Sequence, residues 1–220
     1  MKIGVLGTGI VGQTIATKLV EVGHDVMLGS RTASNEKAAG WAKTAGSKGR
    51  AGTFEQTGAA ADIVFNCTLG AGSLEALNMA KEPNLAGKVV VDVSNALDSS
   101  KGTPPSLLVS NTDSLGEQIQ RAFPKVKVVK TLNTMWCGLM VNPRMLPEAH
   151  VNFLSGNDDG AKTTVKTLLK SFGWRDEELV DLGDISAARG QEMYLPLWLR
   201  VYGATKNGAF NLKIVAAKPA

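Results

Sequence analysis

The sequence predicts an α/β fold: a doubly wound, mostly parallel sheet followed by a small C-terminal α+β extension. Three observations predict it. Short apolar runs alternate with segments of helical apolar spacing up to about residue 132, the order that builds a parallel sheet with helices on both faces. The first run, Lys2 to Leu6, passes straight into Gly7-Thr8-Gly9-Ile10-Val11-Gly12, a glycine turn that opens a helix. The run "KVVVDV", Lys88 to Val93, has the continuous apolar character of a strand covered on both sides.

The elements follow in order. Lys2 to Leu6 is a buried first strand. Val11, Ile15, Leu19 and Val22 recur at helical spacing, and Gly23 stops that helix. Val26 to Leu28 is a second strand, so the first thirty residues form one strand–helix–strand unit. Ile63 to Cys67 is a further strand, and Leu69 to Ser73 turns into a helix ending near Pro83. Ser99 to Thr112 is rich in proline and serine and reads as a loop. Ser114 and Glu117 have capping-box spacing, Leu115, Ile119 and Phe123 share one helical face, and Pro124 ends it. Val126 to Leu132 is a strand. The handedness of crossovers fixes most of the remaining topology. After residue 133 the rhythm changes. Val151 to Leu154 reads as a strand, Val165, Leu168, Leu169 and Phe172 as a helix closed by Gly173, and Glu178 to Leu182 as a short strand. Ser186 to Lys206 is expected to be helical with a break at Pro196, and Phe210 to Val215 is a terminal apolar run. Two regions result: 1–133, a nucleotide-binding domain, and 134–220, a small extension that lids the site or forms a subunit interface.

Composition narrows the function. The chain has 220 residues, 44% hydrophobic and 20% charged, enough to bury about 70% of its unfolded surface without staples. Net charge is +4, but Lys and Arg are scattered except at Lys125, Lys127 and Lys130, without the aromatic interleaving that stacks bases. The expectation is a mildly basic solvated surface and no nucleic-acid partner. Cys67 and Cys137 stand far apart in apolar surroundings, which excludes a metal or disulfide framework and fits a reducing, cytoplasmic setting. The apolar N-terminus reads as a first strand rather than a signal peptide. No run approaches the roughly 20 residues of a membrane span. His24 and His150 lack metal-ligand neighbours.

In the motif G-x-G-x-x-G, Gly7 makes the tight turn, Gly9 admits a pyrophosphate and Gly12 lets helix and strand pack. The free N–H groups of Thr8, Ile10 and Val11 and the positive helix end face the phosphates. A dinucleotide enzyme that prefers NAD carries Asp or Glu at the end of the second strand. This chain has Ser30, Arg31 and Thr32 there. Hydroxyl donors and a guanidinium fork suit a ribose 2′-phosphate, and the expected cofactor is NADP(H) in a Rossmann-type fold. Ligands sit at the carboxyl ends of parallel strands. That adds Asn66, Thr68, Leu69 and Gly70, then Ser94 and Asn95, and on the next strand Asn133 and Thr134.

The segments "GVLGTGIVGQTIATKLVEVGHDVMLGSR", "DVSNAL" and "VKTLNT" resemble the NADP-dependent oxidoreductases that act on the deazaflavin coenzyme F420. The same region is similar to the NADPH-binding part of six-transmembrane metalloreductases. The resemblance covers nearly the whole chain and concentrates in its first hundred residues. It implies NADPH along Gly7 to Gly12, with Ser30 and Arg31 on the 2′-phosphate, and hydride exchange with a small flavin-like acceptor, coenzyme F420 among the candidates. Such a transfer needs positioning and exclusion of water rather than a protein acid or base, and the sequence names no catalytic residue. Met135, Trp136, Met140 and Met145 could line an acceptor pocket or pack as core. The alternatives are a non-catalytic NADPH sensor and a small carbonyl or imine reductase of the β-hydroxyacid dehydrogenase type. Tyr202 and Lys206 match the Tyr-x-x-x-Lys of short-chain dehydrogenases but stand too near the C-terminus for that role. The terminal apolar run predicts a homodimer. The acceptor's identity is not legible in the residues.

Overall fold

A computed structural model of the chain describes residues 1–100 and 102–217. Lys101 of the predicted loop and the last three residues of the extension lie outside the described residues. The element order is β1 (Lys2–Leu6), α1 (Ile10–Glu21), β2 (Asp25–Ser30), α2 (Glu36–Thr44), β3 (Gly49–Thr53), α3 (Phe54–Ala60) and β4 (Ile63–Asn66). Then come α4 (Ser73–Ala80), α5 (Glu82–Leu85), β5 (Val89–Asp92), β6 (Leu97–Asp98), β7 (Ser106–Leu107), α6 (Leu115–Ala122) and β8 (Lys127–Thr131). The chain closes with α7 (Cys137–Val141), β9 (Asn152–Ser155), α8 (Asp159–Ser171), β10 (Leu179–Asp181), α9 (Ala188–Met193) and α10 (Leu195–Thr205).

Among the described residues, eight strands form one sheet in the order β10-β9-β8-β5-β4-β1-β2-β3. From β3 to β8 every pairing is parallel; β9 runs antiparallel to β8, and β10 parallel to β9. β6, just before the predicted loop, and β7 within it pair as a separate ribbon. The strand order doubles back between β1 and β4, the place where an open α/β sheet leaves a crevice.

Alternation explains the apolar strands. Ile63, Phe65, Val91 and Val129 point into a core built with Ile15 and Leu19 of α1, Trp41 of α2 and Val165, Leu168 and Leu169 of α8. Val64, Val90 and Val128 point the other way, into a second core with Leu77 of α4, Leu85 of α5 and Leu115 and Ile119 of α6. A strand with a helix layer on each face has no wet side, so it reads as an unbroken apolar run. The C-terminal region is built onto this frame: β9 and β10 extend the sheet, and Leu139, Leu154 and Trp174 share a core with Ile3 and Val5.

Residues 33–60, which the sequence left without elements, hold α2, β3 and α3. β3 is Gly-Arg-Ala-Gly-Thr, with neither alternation nor apolar bulk, and it lies at the sheet edge. Its glycines are steric: a Cβ on Gly49 would lie 2.3 Å from Ala45 Cβ, and one on Gly52 2.6 Å from Met27 Sδ. Pro83 falls in the first turn of α5 rather than ending α4, and Pro196 opens α10, where its missing N–H costs nothing. Ser114 caps α6 by accepting from Glu117 N at 3.2 Å, but the reciprocal half of a capping box is absent, because the Glu117 carboxylate bonds Arg189 and the Ser114 hydroxyl. The terminal run Phe210 to Val215 forms no regular element and is tied back by Val151 N donating to Leu212 O at 2.9 Å. The expectation of a uniformly solvated basic surface fails at Lys130, which is fully buried.

Candidate functional site

The glycine turn occupies the crevice between β1 and β4. Gly7 has φ +114° and its N–H donates to Gly29 O at 3.1 Å, tying the turn to β2. A Cβ on Gly7 would lie 2.6 Å from Cys67 O, and one on Gly12 would lie 1.9 Å from Gly7 O. Both positions exclude any side chain for reasons internal to the fold. Gly9 differs. Its φ is −73°, ordinary for any residue, and a Cβ there would meet no atom within 4 Å. The room beside Gly9 is space the protein does not use.

Gly9 is also the N-cap of α1, and no side chain caps the helix or places a negative charge in its first turn. The amides of Ile10, Val11 and Gly12 begin a twelve-residue helix with its positive end uncompensated. Cradle, unspent donors and dipole together fit the pyrophosphate of a dinucleotide. Ile10 and Leu69 stand 72% and 86% exposed beside this turn, large apolar side chains at the mouth of the crevice. An open groove of ≈ 610 Å³ leads from Thr8, Gly9 and Ile10 along the outer side of α1 past Gln13 and Thr17 to Lys18 and Lys37.

Arg31 extends from the end of β2 across to α4, where its Nη2 lies 3.6 Å from Glu75 Oε2 with both side chains mostly exposed. A long, solvated ion pair of this kind is weak and readily exchanged for a phosphate. Ser30 is placed differently from its sequence expectation. It is buried, and its hydroxyl donates to Thr32 O at 2.6 Å, closing the turn that presents Arg31 instead of offering a proton outward. Thr32 is exposed.

At the end of β4 the chain packs tightly against the end of β5: a Cβ on Gly70 would lie 2.2 Å from Asn95 O. Asn95 in turn brackets Asn133, accepting from its Nδ2 at 3.0 Å and donating to its carbonyl at 2.9 Å. The loops after β4, β5 and β8 therefore form one connected rim. Asn133 Oδ1 and Thr134 Oγ1 are buried without a hydrogen-bond partner among the described residues. Asn66 and Ser94, expected to line the ligand, instead turn their side chains into the protein and bond Asp92.

That inward network is the feature the sequence reading missed. Asn66, Asp92 and Lys130 are register partners across β4, β5 and β8, so they form one row at the strand ends on the face covered by α6 and α9. Lys130 Nζ lies 2.8 Å from Asp92 Oδ2 and 2.9 Å from Glu192 Oε1, and donates to Ser94 O at 2.6 Å. All three groups are at most 1% exposed. Burial alone would lower the Lys130 pKa, but the two carboxylates outweigh it and hold it above the ordinary lysine value. Glu192 also accepts from Leu115 N and Gly116 N, at 2.9 and 3.0 Å, completing the N-terminus of α6 from another helix. The available signal was a charge inside each apolar strand: Asp92 in "VVVD" and Lys130 in "KVVKT".

Among the described residues no group of three His, Cys, Asp or Glu could hold a metal ion, and no helix is long and apolar enough to cross a membrane. Cys67 and Cys137 are free thiols, and burial pushes the Cys67 thiol far up. Tyr202 stacks on Trp198 at 5.5 Å on α10, and Lys206 is the left-handed C-cap of that helix.

Residues 2–96 match the family model described as NADP oxidoreductase, coenzyme F420-dependent. A solved structure from Arthrobacter sp. FB24, assigned provisionally as an F420-dependent NADP-reductase, is 49% identical, with a TM-score of 0.92 over 98% of this chain and 100% of that one. Metalloreductase STEAP3 of Rattus norvegicus is 28% identical over 206 residues, covering 90% of this chain and 38% of that protein; the chain thus spans well under half of that relative. An imine reductase from Streptomyces aurantiacus superposes with a TM-score of 0.64 at 18% identity, over 94% of this chain and 63% of that one, a likeness of fold.

Proposed function

The chain belongs to the coenzyme F420-dependent NADP oxidoreductase family, and from that premise we propose that it exchanges hydride between NADP(H) and a flavin-like acceptor, with coenzyme F420 the leading candidate. NADPH supplies the hydride. The residues Gly7, Thr8, Gly9, Ile10, Val11 and Gly12 hold the pyrophosphate. Arg31 holds the 2′-phosphate, presented by the Ser30–Thr32 turn and assisted by Thr32. Thr68, Leu69, Gly70 and Asn95 line the nicotinamide half, with Asn66 and Ser94 supporting them from beneath. Hydride transfer of this type needs fixed geometry and a dry site rather than a proton donor; the tight Gly70–Asn95 approach supplies rigidity and the apolar Ile10 and Leu69 supply cover. The region 134–220 contributes the rim at Thr134 to Trp136 and, through α10, the interface of a homodimer.

The observation that carries this reading is the unused room at Gly9 beside an uncapped helix, with Arg31 just past the end of the neighbouring strand. Titration with NADPH and NADH tests it. NADPH is expected to bind at least tenfold tighter, since a charged hydrogen bond is worth about 1.5–3 kcal/mol. The Arg31→Asp variant is expected to lose that preference. Equal binding of both nucleotides would reduce Arg31 to a surface residue. A screen of deazaflavin, flavin and ferric acceptors then identifies the physiological class.

A further inference from the structure

The buried row at the strand ends has a fixed hydrogen-bond sense, and that sense reaches the surface at Thr68. Lys130 only donates, and its three protons meet three acceptors: Asp92 Oδ2, Glu192 Oε1 and Ser94 O. Asp92, paired with an ammonium, only accepts. Its Oδ1 takes bonds from Asn66 Nδ2 at 2.9 Å and Ser94 Oγ at 2.6 Å. Asn66 must therefore turn its amide nitrogen inward and its oxygen outward. That oxygen accepts from Thr68 Oγ1 at 2.7 Å. Thr68 has a single hydroxyl proton, now committed, so Ser73 Oγ at 2.9 Å is the donor in that contact. Any further group that meets Thr68 Oγ1 must also donate.

Thr68 lies on the turn that touches the glycine motif: a Cβ on Gly7 would lie 3.2 Å from Thr68 N. We infer that the buried Asp92–Lys130 pair sets the polarity of the nicotinamide end of the site, making Thr68 Oγ1 an obligate acceptor that recognises a donor on the nicotinamide half, either its carboxamide N–H or a ribose hydroxyl. Thr68 is the specificity-determining contact, and Asn66, Asp92 and Lys130 are positioning residues behind it. This inference rests on the NADPH reading above.

Binding of NADPH and of its reduced 3-acetylpyridine analogue, which has no carboxamide N–H, tests it without needing the acceptor. Dissociation constants are measured by nucleotide fluorescence for the wild type, Thr68→Val, Thr68→Ser and Asp92→Asn, with circular dichroism recorded for each. Thr68→Val is expected to weaken NADPH about tenfold, the effect of one lost hydrogen bond, and Thr68→Ser to restore it to within about twofold. Asp92→Asn, which frees Asn66 to turn over, is expected to weaken NADPH like Thr68→Val while keeping the wild-type spectrum. If the carboxamide is the donor, the wild type disfavours the analogue and Thr68→Val abolishes the difference. If the ribose hydroxyl is the donor, the ratio of the two nucleotides is the same in both proteins. NADPH binding by Thr68→Val at the wild-type level overturns the inference even where Asp92→Asn fails to fold. A wild type that binds no NADPH overturns the functional reading instead.

Discussion

Two glycines of the motif separate the demands of folding from those of ligand. Gly12 lies against its own turn, where a Cβ would come 1.9 Å from Gly7 O; Gly12→Ala is expected to cost about 3 kcal/mol or more and to abolish NADPH binding. Gly9→Ala meets no protein atom and keeps an allowed backbone. Its thermal midpoint should match the wild type while its NADPH affinity falls, because the added methyl would fill the space proposed for the pyrophosphate. A Gly9→Ala protein that binds NADPH normally would remove the pyrophosphate from that position. The motif was legible in the sequence because Gly7 and Gly12 each have a backbone reason and Gly9 stands at the fixed spacing between them. Arg31 was legible because strand end and charge coincide. Ser30 was only half legible: its position followed from the pattern, but the direction of its hydroxyl depends on the local turn to Thr32 O. Asp92 and Lys130 look like blemishes in apolar strands until their register pairs them.

At the scale of elements, α6 is held by α9 through charge. Arg189 donates to both oxygens of Glu117, at 2.8 and 2.5 Å, and Glu192 accepts from the first amides of α6. The bonds from Arg189, with a further one from Ser114, hold the Glu117 carboxyl below its ordinary value against the cost of burial. The Arg121 guanidinium likewise brings Asp113 down to about 2. Carboxyls depressed in the folded state contribute stability above their unfolded values, and that stability disappears as pH falls through the folded ones. Thermal midpoints measured from about pH 6 down to about pH 2 should therefore decline, and Glu117→Gln should start lower at neutral pH and decline less. A Glu117→Gln curve parallel to the wild type would show that the clamp adds nothing. The N-cap at Ser114 was readable from local spacing, whereas the partner of Glu117 lies 72 residues away and no local pattern names it. β3 was unreadable for the opposite reason: its residues are selected for closeness to Ala45 and Met27 rather than for strand propensity.

For the whole molecule, α10 is the element without a home. Of its eleven residues only Leu195 is buried, although the helix is largely apolar. Trp198 stacks between Tyr202 and Phe210 at 5.5 and 5.4 Å, and its indole N–H is buried without an acceptor among the described residues. Leu197, Ile214 and Val215 are more than half exposed. A surface of this composition favours association. Light scattering at micromolar concentration is expected to give twice the 23.1 kDa chain mass, and Leu197→Glu to give the single mass. A monomeric wild type would remove the dimer.

The sequence by itself determined the parallel sheet, the glycine turn and the position of Arg31 at the end of the second strand. These follow from periodicity, backbone sterics and the placement of one cation, all of which are local. Only the tertiary structure decided that the C-terminal region extends the same sheet, that Asn66 and Ser94 face inward, and that Lys130 is a buried charge with three acceptors rather than part of a basic surface. Those facts depend on which residues of distant strands become neighbours. A buried charge is tolerable only where such neighbours satisfy it, and strand register, rather than the residue or its flanks, supplies them.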